Sequence, residues 1–166
     1  MKAREIHGDK YDYSNVTLNK QTDNITLVCP IHGEFQVRAC HHLTGSGCPK
    51  CAGSGGEQIL INFFDSKNIQ YQYNGFYSWL DKMQLDFYLP QYNIAIEVQG
   101  LQHFRDVQVF TPFEEQWARD EKKRMLCEEH GIKLFYYAPY NYDFPYFVFT
   151  NINELWTEME KYLKIP

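Results

Sequence analysis

The sequence predicts an α/β (α+β) protein in two parts: a small cysteine- and histidine-bearing module at residues 1–55 and a larger helix-and-strand unit at residues 56–166. Three observations predict this. Four of the five cysteines fall between Cys29 and Cys51, beside His32. A glycine- and serine-rich run, Ala52-Gly53-Ser54-Gly55-Gly56, separates the two parts. Beyond that run, helix-period and strand-period signals alternate in the order α-β-β-β-α-β-α.

In the first part, NITLVC (24–29) and EFQVR (34–38) read as two short strands around the tight turn Pro30-Ile31-His32-Gly33. The second part opens with Ser54 three residues before Glu57, the spacing of a capping box. Ile59, Leu60, Phe63 and Phe64 then supply an apolar helix face. IQYQY (69–73), MQLDFYL (83–89) and NIAIEVQ (93–99) read as strands, the last two joined by the turn Pro90-Gln91-Tyr92. A helix is expected between Pro112 and His130, stopped at Gly131. The strand KLFYY (133–137) and a C-terminal helix over 152–163 complete the series.

A hydrophobic share of 44% with 17% aromatics provides a packed core and argues against global disorder. No apolar run is long enough to span a bilayer, and the opening MKAREIHGDK carries no signal-peptide apolar stretch. No membrane association is therefore expected, and the reading is cytoplasmic, in a cell or in a cell infected by a virus. The net charge of -5 divides into about +1 for residues 1–56 and -6 for the remainder. Neither part is a basic arm that would coat nucleic acid without specificity.

Cys29-Pro-Ile-His32 and Cys48-Pro-Lys-Cys51 are two x₂-spaced ligand pairs. Zinc takes four soft or borderline ligands in a tetrahedron, and each x₂ pair forms a knuckle presenting two of them. The set is Cys₃His, and four protein ligands leave no open position, so the role is structural. The alternatives are a rival set drawn from Cys40, His41 and His42, which lack a knuckle partner, and a chance cluster of buried cysteines. Metal binding would fold a segment too small to build its own core.

The most informative stretch is LDFYLPQYNIAIEVQGLQHF (85–104), where Asp86 and Glu97 sit on adjacent strands of an expected hairpin. Each acid has apolar neighbours on both sides, so burying it is costly without a cation or partner. Two such carboxylates facing each other repel, and Mg²⁺ or Mn²⁺ relieves that repulsion while polarising a phosphodiester.

Two resemblances follow from these residues. The run CPIHGEF…HLTGSGCPKCAG, led by KAREIHGDKYDYS, resembles the treble-clef zinc modules found beside nuclease domains in phage, bacterial and giant-virus proteins. That resemblance implies that the second ligand pair opens a short helix and that the module contacts DNA, with Arg38 and His42 as candidate contacts. The later run resembles the PD-(D/E)xK nuclease superfamily, within it the very-short-patch-repair endonucleases and related homing endonucleases. By that resemblance Glu57 is the helix acid, Asp86 the metal-binding aspartate, and Glu97 with Gln99 the E-x-K position. His103 matches a histidine of the repair branch, and Asp120…Lys123…Cys127 matches the helix that follows. The resemblance implies a restriction-endonuclease-like core, a mixed central sheet flanked by helices, with Zn²⁺ structural and Mg²⁺ or Mn²⁺ catalytic. Its implied activity is metal-dependent DNA hydrolysis, with catalytic residues Glu57, Asp86, Glu97, Gln99 and His103 and a DNA contact at Lys123.

The chain departs from the pattern where no proline precedes Asp86 and where Gln99 replaces a lysine. His103 or Lys123 is the expected compensation, His103 as general acid or base near neutral pH. The rival readings are an inactive nuclease fold that binds DNA and an RNA-directed nuclease. For the latter, the aromatic run 135–149 would serve as a stacking surface, against the alternative of a core element. A homodimer is left open.

Overall fold

In the computed structural model, residues 2–14, 16–17, 20, 22–99, 113–139 and 147–163 are described. The chain divides into two compact units, Met1–Ser54 and Gly55–Pro166. Among the described residues, no helix is long and apolar enough to cross a membrane.

The first unit starts with helix α1 (Lys2–His7) and holds one antiparallel hairpin, β1 (Asn24–Cys29) and β2 (Gly33–Arg38). The alternation of β1 turns Ile25, Leu27 and Cys29 inward, all at 7% exposure or less. Gly33 closes the turn at φ 73°, a left-handed value that glycine adopts without steric cost. Two four-residue helices follow, α2 (Ala39–His42) and α3 (Pro49–Ala52). Tyr11 is 4% exposed, and its hydroxyl accepts a hydrogen bond from the Cys48 amide at 3.0 Å. A Cβ at Gly47 would lie 2.3 Å from that hydroxyl, so only glycine admits Tyr11 there.

The second unit begins with α4 (Gly55–Ser66) and continues through β3 (Gln72–Phe76), β4 (Gln84–Leu89) and β5 (Ile94–Val98). Helix α5 (Phe113–Glu129), strand β6 (Lys133–Tyr137) and helix α6 (Ile152–Glu160) complete it. The four strands form a mixed sheet in the order β3-β4-β5-β6, antiparallel except for the parallel β5–β6 pair. Parallel neighbours need a crossover, and α5 lies between these two strands in the chain.

Strand alternation gives the sheet two different faces. Phe87, Leu89, Ile94, Ile96, Phe135 and Tyr137 form a core with Leu60, Ile61 and Phe64 of α4 and Leu155 and Met159 of α6. The other face brings Ala95, Tyr88 and Leu134 against Cys127 and Leu126 of α5. Asp86, Glu97 and Tyr136 have the parity of this second face.

In the aromatic run 135–149, Phe135 and Tyr137 are buried and Phe149 packs against them, whereas Phe147 is exposed; residues 140–146 lie outside the described set. The strand expected at 69–73 is displaced to Gln72–Phe76. Asn68 ends α4 at φ 55°, and the Ile69 amide still bonds back to the Phe64 carbonyl at 2.9 Å. Residues 69–71 therefore leave the helix before pairing begins.

Gly56 fixes the first turn of α4 against the sheet, because a Cβ there would meet Val98 Cγ1 at 2.7 Å and Pro139 at 3.1 Å. Gly56→Ala is expected to overpack this contact and lower stability by about 1–3 kcal/mol, read from chemical denaturation.

Candidate metal and carboxylate sites

In the first unit the knuckle of the β1–β2 turn carries Cys29 and His32, and the approach to α3 carries Cys48 and Cys51. Their ligand atoms all lie within 4.8 Å of one another. Cys29 Sγ is 3.6 Å from Cys51 Sγ, and His32 Nδ1 is 3.3 Å from Cys51 Sγ and 3.5 Å from Cys48 Sγ. With Zn–S near 2.3 Å and Zn–N near 2.0 Å, a tetrahedral ion sets its ligands roughly 3.5–3.8 Å apart, so the donor set fits. Burial first, then the neighbouring Cys29 sulfur, pushes the Cys51 thiol up to about 11. A divalent cation supplies the charge that lets such thiols deprotonate together. The cluster can hold a structural metal such as zinc, and neither Cys40 nor His41 belongs to it.

His42 corrects an expectation. Proposed as a DNA contact, it is 1% exposed, and both ring nitrogens are engaged inside the module. Its Nδ1–H donates to the Ser46 carbonyl at 2.8 Å, and its Nε2 accepts from the Tyr13 hydroxyl at 3.0 Å. The ring stacks on His7 with centroids 4.0 Å apart, and His7 Nε2–H donates to the His42 carbonyl. Burial lowers the His42 pKa, which suits this neutral tautomer. His42 thus shapes the loop that delivers Cys48. Arg38, at the end of β2, is exposed.

The second site lies where main-chain pairing between β4 and β5 ends, at Phe87↔Ile96. Beyond that pair two amides go to side chains. The Asp86 N–H donates to Glu97 Oε1 at 3.2 Å, and the Val98 N–H donates to Asp86 Oδ2 at 2.8 Å. Glu97 is 7% exposed and Gln99, two residues on and of the same parity, is 3% exposed. Lys123 of α5 places its ammonium on Glu97 Oε2, with only 13% of the lysine side chain exposed. In place of the DNA contact expected of it, Lys123 makes a largely buried ion pair. Lys122 instead faces outward and pairs with Asp81.

Glu57 stands in the first turn of α4, and Tyr73 of β3 donates its hydroxyl to Glu57 Oε1 at 2.8 Å. Burial raises the Asp86 pKa, opposed by the Val98 amide and Lys123 and reinforced by the Glu57 and Asp120 charges. Burial and the Asp86 charge push the Glu97 carboxyl up to about 8, against the pull of Lys123. Burial thus favours the protonated form of both carboxyls, against the pull of Lys123. Gln99 Oε1 is a buried oxygen with no hydrogen-bond partner among the described residues, on the parity of Glu97. The structure brings Glu57, Asp86, Glu97, Gln99 and Lys123 to one end of the sheet; His103 lies outside the described residues. Sequence reasoning missed Tyr73, for which an alternating tyrosine in a strand gave no distinguishing signal.

Comparison with known proteins informs mainly the first unit. The family described as "Protein of unknown function (DUF723)" matches residues 1–52. The chain is similar to "Uncharacterized protein R892" of Acanthamoeba polyphaga mimivirus, 41% identical over 51 residues, covering 30% of this chain and 19% of the relative. It is also similar to "Uncharacterized protein R97" of the same virus, 38% identical over 64 residues, covering 37% of this chain and 23% of the relative. The chain spans less than a quarter of the length of these curated relatives. No solved structure matches.

Elemental analysis of protein purified without chelator is expected to find about one zinc per chain, lost in Cys48→Ser. His42→Ala is expected to keep the four ligands yet lower the stability of the metal-loaded chain by about 1–3 kcal/mol for the buried partners it strands, read from chemical denaturation.

Proposed function

We propose that the chain is a metal-dependent DNA endonuclease that nicks or cleaves by phosphodiester hydrolysis. Residues 55–166 form a PD-(D/E)xK-like core, and the zinc-bearing module positions the DNA. The observation that carries this reading is the pair Asp86–Glu97, taking over amide donors at the end of the β4–β5 ladder while Lys123 approaches from α5.

The donor set suits a hard divalent cation. Asp86 and Glu97 offer carboxylate oxygens, and Gln99 Oε1 is a buried amide oxygen without a partner among the described residues. Mg²⁺ or Mn²⁺ bound there polarises a phosphodiester and makes water a better nucleophile. The chain's own residues do the rest. Lys123 holds Glu97 in place and supplies the positive charge that Gln99 lacks in the position where the superfamily pattern has lysine. Tyr73 holds Glu57 by its hydroxyl at the same end of the sheet. His103 remains the sequence-based candidate for proton transfer.

The proton balance gives this site a pH signature. The raised Glu97 pKa means that the folded chain binds this proton more tightly than the unfolded one. Stability without divalent cation therefore falls as pH rises from about 4.5 toward about 8. A cation bound to the ionised site offsets this loss, so Mg²⁺ raises the melting temperature more at pH 8 than at pH 6.

Supercoiled plasmid is expected to be nicked in Mg²⁺ or Mn²⁺, with rates rising to a plateau above about pH 8. Asp86→Ala and Glu97→Ala are expected to abolish nicking, and its persistence in both contradicts the assignment. Lys123→Ala is expected to lose about a hundredfold or more, whereas Lys122→Ala stays near the parent rate.

A further inference from the structure

Lys123 matches the charge of the carboxylate site only in part. Asp86 and Glu97 carry two negative charges when ionised, and the Lys123 ammonium on Glu97 Oε2 balances one of them. The ion pair lies well inside the fold, with 13% of the lysine side chain and 9% of the glutamate side chain exposed. A divalent cation between the two carboxylates balances both charges. An ammonium kept beside that cation faces a like charge in surroundings that screen it poorly.

The two partners of Glu97 differ in how readily they can leave. Its Oε1 takes the Asp86 amide at 3.2 Å, a main-chain donor fixed by the strand. Its Oε2 takes Lys123, whose flexible four-carbon stem turns without moving the backbone. Helix α5 itself is anchored one turn further on, where Cys127 is fully buried in a cluster with Ala95 of β5. Lys122, the next residue along α5, instead pairs with Asp81 and leaves 54% of its side chain exposed. A cation shared by Asp86 and Glu97 therefore meets Glu97 with least disturbance at the oxygen that Lys123 holds.

We propose that Lys123 is a tethered counter-ion, which holds Glu97 in the metal-free chain, yields Oε2 to a divalent cation and turns its ammonium to the substrate phosphate. The proposal rests on the nuclease reading and adds an order of events to it: the cation comes first and frees the lysine. Released beside the carboxylates, the ammonium finds its new partner in a phosphate oxygen, with which it forms a charge-assisted hydrogen bond. The exchange rearranges ion pairs and involves no covalent step.

The test uses the full zinc-loaded chain without DNA, and Mn²⁺ as the probe. Electron paramagnetic resonance of free Mn²⁺ counts the ions bound. A pulse of acetic anhydride followed by mass spectrometry reads how open each lysine is. Lys123 is expected to acetylate slowly without Mn²⁺ and several-fold faster with it, while Lys122 keeps one rate. Asp86→Asn is expected to lose both the bound Mn²⁺ and the gain in Lys123 labelling. Lys123→Met keeps the stem without the charge and is expected to bind Mn²⁺ several-fold more tightly than the parent. Circular dichroism checks that both variants fold, and the labelling of the parent chain needs neither. Bound Mn²⁺ with Lys123 still protected, or weaker Mn²⁺ binding by Lys123→Met, overturns the exchange and leaves the cation site standing. Mn²⁺ binding no greater than that of Asp86→Asn overturns the nuclease reading, and the exchange with it.

Discussion

Two amide donors at one end of the central sheet go to carboxylates, and the candidate site is built around that substitution. The Asp86 amide meets Glu97 and the Val98 amide meets Asp86 where the β4–β5 ladder has ended. These bonds hold both acids at the rim of the sheet, between apolar neighbours on β4 and β5. Carboxylates in such surroundings are costly to keep ionised unless a positive charge is near. Lys123 supplies one, and burial still raises the pKa of both acids. The neighbouring elements serve the same arrangement: Gly56 lets α4 close on Val98, which brings Glu57 alongside, and α5 covers the opposite face with Lys123.

The first unit solves a different problem. With six-residue strands and helices of four to six residues, it buries little apolar surface. Its organisation comes from the Cys₃His cluster and from a polar network behind it, in which His42, Tyr13, His7 and Ser46 fix the loop before Cys48. A histidine that reads in the sequence as a surface contact is spent on geometry. The similarity to the two mimivirus proteins is confined to short stretches of much longer chains, and the family match covers residues 1–52.

Legibility in the sequence followed the range of the interactions involved. The Cys₃His donor set was legible because x₂ spacing is a local consequence of knuckle geometry. Strands β4 and β5 were legible because Asp86 and Glu97 interrupt otherwise apolar runs. The start of β3 was not, since Asn68 at positive φ delays pairing by several residues and apolar pattern does not report φ. The burial of His42 depends on Tyr13, 29 residues away, and the role of Lys123 on Glu97, 26 residues away. No helical or strand period carries contacts of that separation. Tyr73 was hidden for the same reason, its hydroxyl reaching Glu57 across 16 residues.

The central claim is that Asp86 and Glu97 form a cation site at the end of the β4–β5 ladder. Anomalous diffraction from crystals soaked in Mn²⁺ tests it most directly, because it locates the ion without relying on any activity. A peak bridging Asp86 and Glu97, with Gln99 Oε1 turned toward it, is the predicted result. A fully bound zinc peak at Cys29, His32, Cys48 and Cys51 with no manganese between the two carboxylates would contradict the account.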